Sequence, residues 1–260
     1  MPGIVVLGVS AAGPDGGGGA AAAAAAAGLG PARRLHRPSG RRLAGGHGAG
    51  GATLHRGASR RLPHLLRLPA AAFRALCTRE KLLAAFGPFP VRLSTANTYS
   101  YRKVDVPFQE YVEHLLKPQD PARLGSDTLY FFGDNNFTEW GPLFQHYVPP
   151  PFRIPGTSPA YSFGIAGSGS GVPFHWHGPG FSEVIFGRKR WFLYPPDKTP
   201  HFHPNETTLA WLQHTYPTLP PAQRPLECTL HPGEVLYFPD RWWHATLNLD
   251  TSVFISTFLG

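Results

Sequence analysis

The sequence predicts a mainly β protein, a double-stranded β-helix (jelly roll) with flanking helices. It contains 30 Gly and 29 Pro residues and only 15% charged residues, which favours many turns and short strands over a helical bundle. Short apolar runs between turn residues recur through the second half of the chain, as in a sandwich or barrel. No run approaches the roughly 18 consecutive apolar residues of a membrane-spanning helix, so no transmembrane segment is expected.

The first half of the domain is predicted to mix helices with strands. Apolar residues at helical spacing predict a helix over residues 73–86, which Gly87 ends. Asp105 followed by Pro107 predicts the N-cap of a second helix that runs to Leu116. Strands over residues 91–95 and 128–132 and a short helix over residues 140–147 complete this part.

The second half is predicted to consist almost entirely of strands. Gly and Pro separate its short apolar runs, and one helical insertion is expected over residues 207–214. The predicted strands cover residues 161–165, 174–177, 182–186, 190–194, 227–230, 235–238, 243–247 and 253–258. This many strands in succession suits antiparallel sheets wound into a jelly roll.

Composition changes abruptly near residue 73. Residues 16–19 are all Gly, residues 20–27 are all Ala, and Arg/Gly/Pro-rich sequence follows. Such a segment buries too little apolar surface to offset its chain entropy, so we expect residues 1–65 to be disordered and dispensable. This segment is either a divergent natural N-terminus or an artefact of the gene model, and we favour the artefact. The folded domain is expected to span residues 73–260.

The formal net charge of +8 belongs to this tail. Ten of the 24 Lys and Arg residues, but only one of the 16 acidic residues, lie within the first 74 positions. The predicted domain is therefore near neutral. A nucleic-acid partner, which needs a basic patch on a folded face, is not expected.

Three histidines carry the predicted chemistry. His175 and His177 are two positions apart in a predicted strand, so their imidazoles face the same side. His244 follows the turn at Pro239 and Asp240 and lies in a later strand. Two histidines on one strand and a third on another are how a jelly roll builds a facial metal site with open coordination positions. We therefore expect His175, His177 and His244 to bind a divalent metal, Fe(II) or Zn.

Three motifs follow one another in a fixed order around these histidines. They are Phe174-His175-Trp176-His177, then Gly187-Arg188-Lys189-Arg190-Trp191-Phe192-Leu193-Tyr194-Pro195-Pro196, then Gly233-Glu234-Val235-Leu236-Tyr237-Phe238-Pro239 leading into Trp242-Trp243-His244. In order and spacing, residues 73–260 resemble the small hydroxylases of the JmjC (jumonji) family. The resemblance implies a cupin-like barrel, an iron centre and 2-oxoglutarate as cosubstrate.

The resemblance implies a role for each matching residue. His175 corresponds to the family's first iron ligand and His244 to its last. Lys189 corresponds to the basic residue that pairs with the far carboxylate of 2-oxoglutarate. Tyr130 corresponds to a tyrosine whose hydroxyl contacts the same acid.

Two positions depart from the family pattern. The carboxylate ligand falls at His177, and a hydroxyl residue that contacts 2-oxoglutarate falls at Val172. A third neutral imidazole raises the formal charge of a divalent site from +1 to +2, and imidazole suits Zn, Cu and Ni as well as Fe. Losing the hydroxyl removes at most one hydrogen bond, worth about 1 kcal/mol net. Metal binding is therefore expected, with turnover of 2-oxoglutarate at or near background.

Three functions compete for these residues. The first is a non-catalytic or regulatory JmjC protein that acts through contacts with other proteins, with a structural metal. The second is an Fe(II)/2-oxoglutarate-dependent protein hydroxylase or demethylase that uses three histidines. The third is a three-histidine cupin dioxygenase that does not use 2-oxoglutarate. His177 is the residue that separates them, and we favour the first.

Other polar and aromatic residues have a structural interpretation. His201 and His203 lie in a Pro-flanked loop, where we expect solvated side chains in spite of their ligand-like spacing. In a strand, the side chain of Lys189 lies on the opposite face from those of Arg188 and Arg190, so either Lys189 or the two arginines point inward. Glu183 is an alternative carboxylate ligand, although a supporting or surface position is the expectation. Core or pocket-wall positions are expected for Trp191, Trp242 and Trp243.

Two glycosylation sequons point to a compartment. Asn136-Phe137-Thr138 and Asn205-Glu206-Thr207 both have the acceptor pattern and lie in or beside predicted turns. Cys77 and Cys228 are the only cysteines, too few to decide between free thiols and a disulfide. The resemblance is greatest to a member of the secretory pathway, which implies the lumen of the endoplasmic reticulum. There, at least one of Asn136 and Asn205 is expected to carry a glycan.

Overall fold

Antiparallel strands dominate the structure, a computed structural model that describes residues 6–8, 67–95, 103–123, 129–133, 135–150 and 155–259. The strands of this part are β1 (Val6–Gly8), β2 (Pro90–Thr95), β3 (Lys103–Pro107), β4 (Leu129–Phe132), β5 (Ala160–Ala166), β6 (Gly180–Phe186), β7 (Lys189–Tyr194), β8 (Leu226–Leu230), β9 (Glu234–Phe238), β10 (Trp243–Asn248) and β11 (Ser252–Phe258). The larger sheet has the order β1-β9-β6-β11-β5-β4-β2-β3 and the smaller sheet the order β10-β7-β8. The predicted mainly β, cupin-like double-stranded β-helix is confirmed.

The helices are few, and each lies in a segment that connects two strands. They are α1 (Arg67–Leu76), α2 (Arg79–Phe86), α3 (Phe108–Glu110) continued by a π-helical turn (Tyr111–Leu115), α4 (Phe137–Phe144) and α5 (Thr208–His214), and two single 3-10 turns follow α5 (Tyr216–Thr218 and Pro221–Gln223). The single helix predicted over residues 73–86 is in fact two, because the Thr78 side chain caps α2 by accepting a hydrogen bond from the Lys81 amide. None of the described helices is both long and apolar enough to span a membrane.

The predicted N-cap at Asp105 is wrong. Asp105 lies in β3 directly opposite Arg92 of β2, and its carboxylate accepts two hydrogen bonds of 2.8 Å from that guanidinium. The helix begins only at Phe108, after Pro107. Asp105 therefore forms a cross-strand ion pair and does not cap the helix.

The predicted strand over residues 174–177 is also wrong as a regular element. The chain follows the free edge of β10 through backbone hydrogen bonds at Ser170, Val172 and His175, with an uneven spacing. Pro173 has no amide hydrogen to donate to such a ladder, which interrupts regular pairing. Only the bridge between His175 and His244 remains of the predicted strand.

Within the tail predicted to be disordered, residues 6–8 depart from that prediction. They form β1, which pairs antiparallel with β9 and sets Val6 opposite Leu236. The rest of the segment 1–65 lies outside the described residues, and so does Thr128 at the start of the fourth predicted strand.

Helices α1 to α4 cover one face of the larger sheet. Their core contains Phe73, Leu82, Phe108 and Trp140, packed against strand residues such as Phe163. A second cluster, around Phe174, Phe192 and Trp211, fixes α5 against the smaller sheet. Because both sheets are supported from outside by apolar packing, the space between them is left for the polar residues described next.

Candidate metal centre

His175 and His244 are held together by the backbone. The amide of His175 donates to the carbonyl of His244 at 3.1 Å, and the amide of His244 donates back at 2.9 Å. His177 is fixed from the other side, because its carbonyl accepts a 3.0 Å hydrogen bond from the Arg241 amide. Arg241 has a φ of 57°, a left-handed conformation that non-glycine residues rarely adopt without a structural or functional constraint.

The three predicted ligands converge. Ligand nitrogens of His175, His177 and His244 all lie within 4.8 Å of one another. The Nε2 atoms of His177 and His244 are 3.1 Å apart. The predicted convergence is therefore observed, although the strand expected to present two of these residues is irregular.

Each imidazole is oriented by a backbone carbonyl. Nδ1 of His175 lies 2.8 Å from the Pro173 oxygen, Nδ1 of His177 lies 2.8 Å from the Gly178 oxygen, and Nδ1 of His244 lies 2.9 Å from the Trp242 oxygen. A carbonyl only accepts, so these contacts assign the ring proton to Nδ1 and leave the Nε2 lone pair free. With the ring protons on Nδ1, no proton lies between the Nε2 atoms of His177 and His244, which are 3.1 Å apart, and a shared cation satisfies such an arrangement.

The surroundings keep the rings neutral. Burial lowers the pKa of His175 from its ordinary 6.5 to about 4, and it also lowers the pKa of His177. The pKa of His244 lies well below its ordinary value, first because the ring is buried and then because both other histidines are close. Aromatic rings of Phe238 and Phe258 lie 5.3 and 4.9 Å from the His177 ring. Neutral imidazole is the form that binds metal, so the donor set fits a divalent ion such as Zn or Fe(II).

Glu183 does not supply the missing carboxylate. It lies on the face of β6 that packs towards the helices, and its Oε2 accepts a 2.8 Å hydrogen bond from the hydroxyl of Tyr147. Burial raises the pKa of the Glu183 carboxyl. Among the described residues, the grouped metal-ligating atoms belong to the three histidines alone.

Lys189, the predicted cosubstrate residue, is buried with only 4% of its surface exposed. Its Nζ lies 3.2 Å from the centre of the Phe254 ring and 5.7 Å from that of Phe132. Within the described part of the chain it has neither an acid partner nor a hydrogen-bond acceptor. Burial holds the pKa of Lys189 well below its ordinary value. A buried cation without a counter-charge is costly, so the surroundings of Lys189 favour an anionic partner such as a carboxylate.

Tyr130 and Val172 line the same region. Both pack in one cluster with Phe254, the residue whose ring faces Lys189. Burial raises the pKa of the Tyr130 hydroxyl, which therefore stays protonated and able to donate a hydrogen bond. The structure thus brings together Lys189, Tyr130 and Val172, the three positions that the family resemblance connects with 2-oxoglutarate.

Residues on either side of Lys189 point outward, as their alternation predicts. Arg188 forms a 2.7 Å ion pair with Asp250, and Arg190 pairs with Glu227. The side chain of Lys189 is thus the inward one of the three. His201 and His203 are exposed, in agreement with their predicted surface position.

Sequence reasoning missed two polar groups between the sheets. Trp191 was expected as pocket wall, but its indole N–H is buried without a hydrogen-bond partner. Thr246, which lies opposite Trp191 across the β7–β10 pair, was not singled out. Alternation was the available signal, because Thr246 is two positions from His244 and Trp191 is two positions from Lys189.

Comparisons with known proteins agree with this centre. Residues 87–258 match the family model described as a cupin-like domain. The chain is 82% identical over 188 residues to JmjC domain-containing protein 8 of Rattus norvegicus. The aligned region covers 72% of this chain and 70% of that protein. The chain belongs to the JmjC family. The predicted resemblance to the JmjC family is thereby confirmed.

The names of more distant JmjC relatives state an enzymatic activity. One is lysine-specific demethylase JMJ21 of Arabidopsis thaliana, 32% identical over 205 residues, with 69% of this chain and 21% of that protein covered. Another is the 2-oxoglutarate and iron-dependent oxygenase JMJD4 of Gallus gallus, 25% identical over 201 residues, with 68% and 47% covered. This JmjC barrel is therefore related to oxygenases and demethylases.

Proposed function

We propose that the protein is a non-catalytic, metal-binding JmjC protein of the endoplasmic reticulum lumen that acts through contacts with other proteins. The observation that carries the proposal is the imidazole of His177, whose Nε2 lies 3.1 Å from Nε2 of His244. A third imidazole replaces the carboxylate of the two-histidine, one-carboxylate set that non-haem iron oxygenases use. The resulting neutral ligand set favours a structural ion over an oxygen-activating one.

Protein contact is supported by an exposed aromatic residue at the centre. Trp176 lies between the two ligand histidines of the loop and is 52% exposed. Tryptophan is enriched at protein interfaces and among the residues that contribute most to binding. A partner that covers Trp176 would also contact the loop that carries His175 and His177.

A luminal location is supported by the two sequons. Asn136 and Asn205 are both exposed, so both can accept a glycan. The Asn136 side chain also caps α4 by accepting a 2.9 Å hydrogen bond through Oδ1 from the Thr138 amide. A glycan on the side-chain nitrogen would leave that cap intact.

The proposal is tested by measuring metal content and 2-oxoglutarate decarboxylation on the purified chain. We expect bound metal in the wild type, none in His175→Ala, and decarboxylation at or near background. His177→Asp should raise the rate of decarboxylation. Val172→Thr should raise it further by a smaller amount, because the added hydrogen bond to 2-oxoglutarate is worth about 1 kcal/mol or less. His201→Ala, an exposed histidine, is the matched control that should change neither quantity. Robust iron-dependent turnover by the wild type, lost in His175→Ala, would contradict the proposal.

That contrary result would establish the second candidate, an Fe(II)/2-oxoglutarate-dependent hydroxylase or demethylase. One observation favours it, namely the buried ammonium of Lys189 that lacks an acid partner among the described residues. A bound ferrous ion supplies the oxidising chemistry in such enzymes. The residues of this chain would orient the reactants: the three histidines hold the ion, and Lys189 and Tyr130 hold the far carboxylate of the cosubstrate.

A further inference from the structure

A cavity of about 330 Å³ lies between the helices and the larger sheet. This helix–sheet cavity is bounded by the junction of α1 with α2, by the π-helical turn after α3, and by strands β5, β6 and β11. Each of these elements contributes to its wall, with Cys77, Val112, Ile165, Phe186 and Val253. None of the residues that line it belongs to the three-histidine centre or contacts Lys189 in the ring pairs described above.

Two irregular turns of the chain shape the walls of the helix–sheet cavity. The helical segment breaks at Thr78, which caps α2 and lines the cavity. The π-helical turn Tyr111–Leu115 presents Val112 to it. This turn is fixed on β5, because the Tyr111 hydroxyl donates a 2.6 Å hydrogen bond to the Ile165 carbonyl. π-helical turns are frequent at functional sites, so the position of this one next to a cavity points to a ligand.

The most buried part of the wall is apolar. Cys77, Leu82 and Phe108 are 1%, 2% and 0% exposed. Burial raises the pKa of the Cys77 thiol to about 12, so the thiol is neutral. The half-buried Phe186 and Val253 continue the apolar wall towards the solvent. An apolar cavity of about 150 Å³ stays dry and binds benzene, and a cavity about twice as large accommodates an apolar group of about eight to twelve carbons.

The rim of the helix–sheet cavity is polar, with an excess of positive charge. Arg79 and Glu80 are exposed residues of the rim. The guanidinium of Arg74 lies 4.8 Å from the centre of the Phe186 ring, which is itself part of the wall. Neither arginine forms an ion pair with a carboxylate of the described residues. Helix α2 begins at this rim, so the positive end of its dipole adds to the same field. These charges together favour an anionic group at the mouth of the cavity.

We propose that the helix–sheet cavity binds a small amphiphile, a medium-chain monocarboxylate. Its apolar tail lies between the helices and the larger sheet, and its carboxylate accepts charge-assisted hydrogen bonds from Arg79 and Arg74 at the rim. Apolar walls with a few polar groups that orient the ligand are the usual composition of a small-molecule site. This site goes beyond the proposed function, because it shares no residue with the three-histidine centre and needs no metal.

The experiment is isothermal titration of the full chain with octanoate below its micellar concentration. The wild type should bind octanoate, and its melting temperature should rise as octanoate is added, because the ligand binds the folded state. 1-Octanol is the uncharged comparison. Arg79→Gln should weaken octanoate binding about two- to fivefold, the effect expected of an exposed ion pair, and should leave 1-octanol binding unchanged.

Two variants fill the cavity from different walls. Val112→Phe fills it from the π-helical turn and Val253→Phe from β11, and each should weaken octanoate binding at least tenfold without lowering the melting temperature, because the added ring occupies apolar space. Either variant decides the question if the other fails to fold. Val148→Phe is the matched control, because the same change is made at a side chain that is 52% exposed and lies outside the cavity wall.

The outcomes separate this site from the centre between the sheets. Absence of octanoate binding overturns the proposal, as do equal affinities of the wild type, Val112→Phe and Val253→Phe. Loss of binding in Lys189→Met but not in the filled variants would place octanoate between the sheets, which also overturns it. Octanoate binding that survives removal of metal by a chelator supports the proposal. Metal content measured on the same samples tests the proposed function independently.

Discussion

Replacing Lys189 with methionine should stabilise the ligand-free protein. The ammonium is 4% exposed and faces the Phe254 ring at 3.2 Å. Removing a buried charge without a counter-charge recovers a desolvation cost of several kcal/mol. About 2 kcal/mol of cation–π attraction is lost at the same time. Methionine is similarly unbranched and packs well on aromatic rings, so the net expectation is a gain of about 1–2 kcal/mol.

Thermal unfolding measured by circular dichroism checks this value. A gain of that size corresponds to a rise of about 2–8 °C in melting temperature for a domain of this length. Arg188→Met is the control, because Arg188 is exposed and pairs with Asp250 at 2.7 Å, and the loss of such a solvent-screened pair should change the melting temperature little. A Lys189→Met protein that melts at or below the wild-type temperature would refute the reasoning.

The pH dependence of the Lys189→Met effect has a definite sign. Burial lowers the pKa of Lys189 well below its ordinary 10.5. Between that lowered pKa and 10.5 the unfolded chain binds more protons than the folded chain, so wild-type stability rises with pH across this window. The advantage of Lys189→Met is therefore full below the window and disappears as the pH approaches 10.5.

Three further changes test the surroundings of the site. Glu183→Gln removes a partly buried carboxylate whose pKa is raised above its ordinary 4.5; the free energy of unfolding should rise near neutral pH, and urea titrations should show the gain vanish below pH 4.5. Cys77 and Cys228 are free, and burial raises both pKa values to about 12; Ellman's reagent should therefore detect both thiols only after denaturation, whereas a lack of reaction in denaturant would indicate a disulfide. Chain secreted behind a signal sequence should lose mass on endoglycosidase treatment unless Asn136 and Asn205 are both changed to Gln.

The barrel strands were predictable because hydrophobic alternation and turn residues act locally. Strands β5 to β11 lie within one or two residues of their predicted positions, apart from the segment around His175. The ligand positions were predictable for another reason: residues at fixed spacings carry chemistry that a jelly roll can bring together. The regular strand expected at residues 174–177 failed because Pro173 interrupts pairing with β10, yet the carbonyl-oriented rings of His175 and His177 still converge.

The errors arose where a partner distant in sequence decided the local structure. Asp105 has a favourable pattern for a helix N-cap, but pairing of β2 with β3 placed Arg92 opposite it. The role of Glu183 depended on Tyr147, which is 36 positions away in sequence. The unpartnered N–H of Trp191 is likewise visible only after the two sheets are packed together. No local pattern in the sequence contains these contacts.

Of the two departures from the family pattern, only His177 changes the charge of the site. With His177 in place of a carboxylate, a divalent ion keeps a formal charge of +2, and Lys189 adds a second positive group on the other side of Trp191. In a site with a carboxylate ligand, part of that charge is already cancelled. The same substitution removes the anionic ligand that iron oxygenases retain. The proposed structural ion and the proposed loss of turnover therefore both follow from one residue, His177.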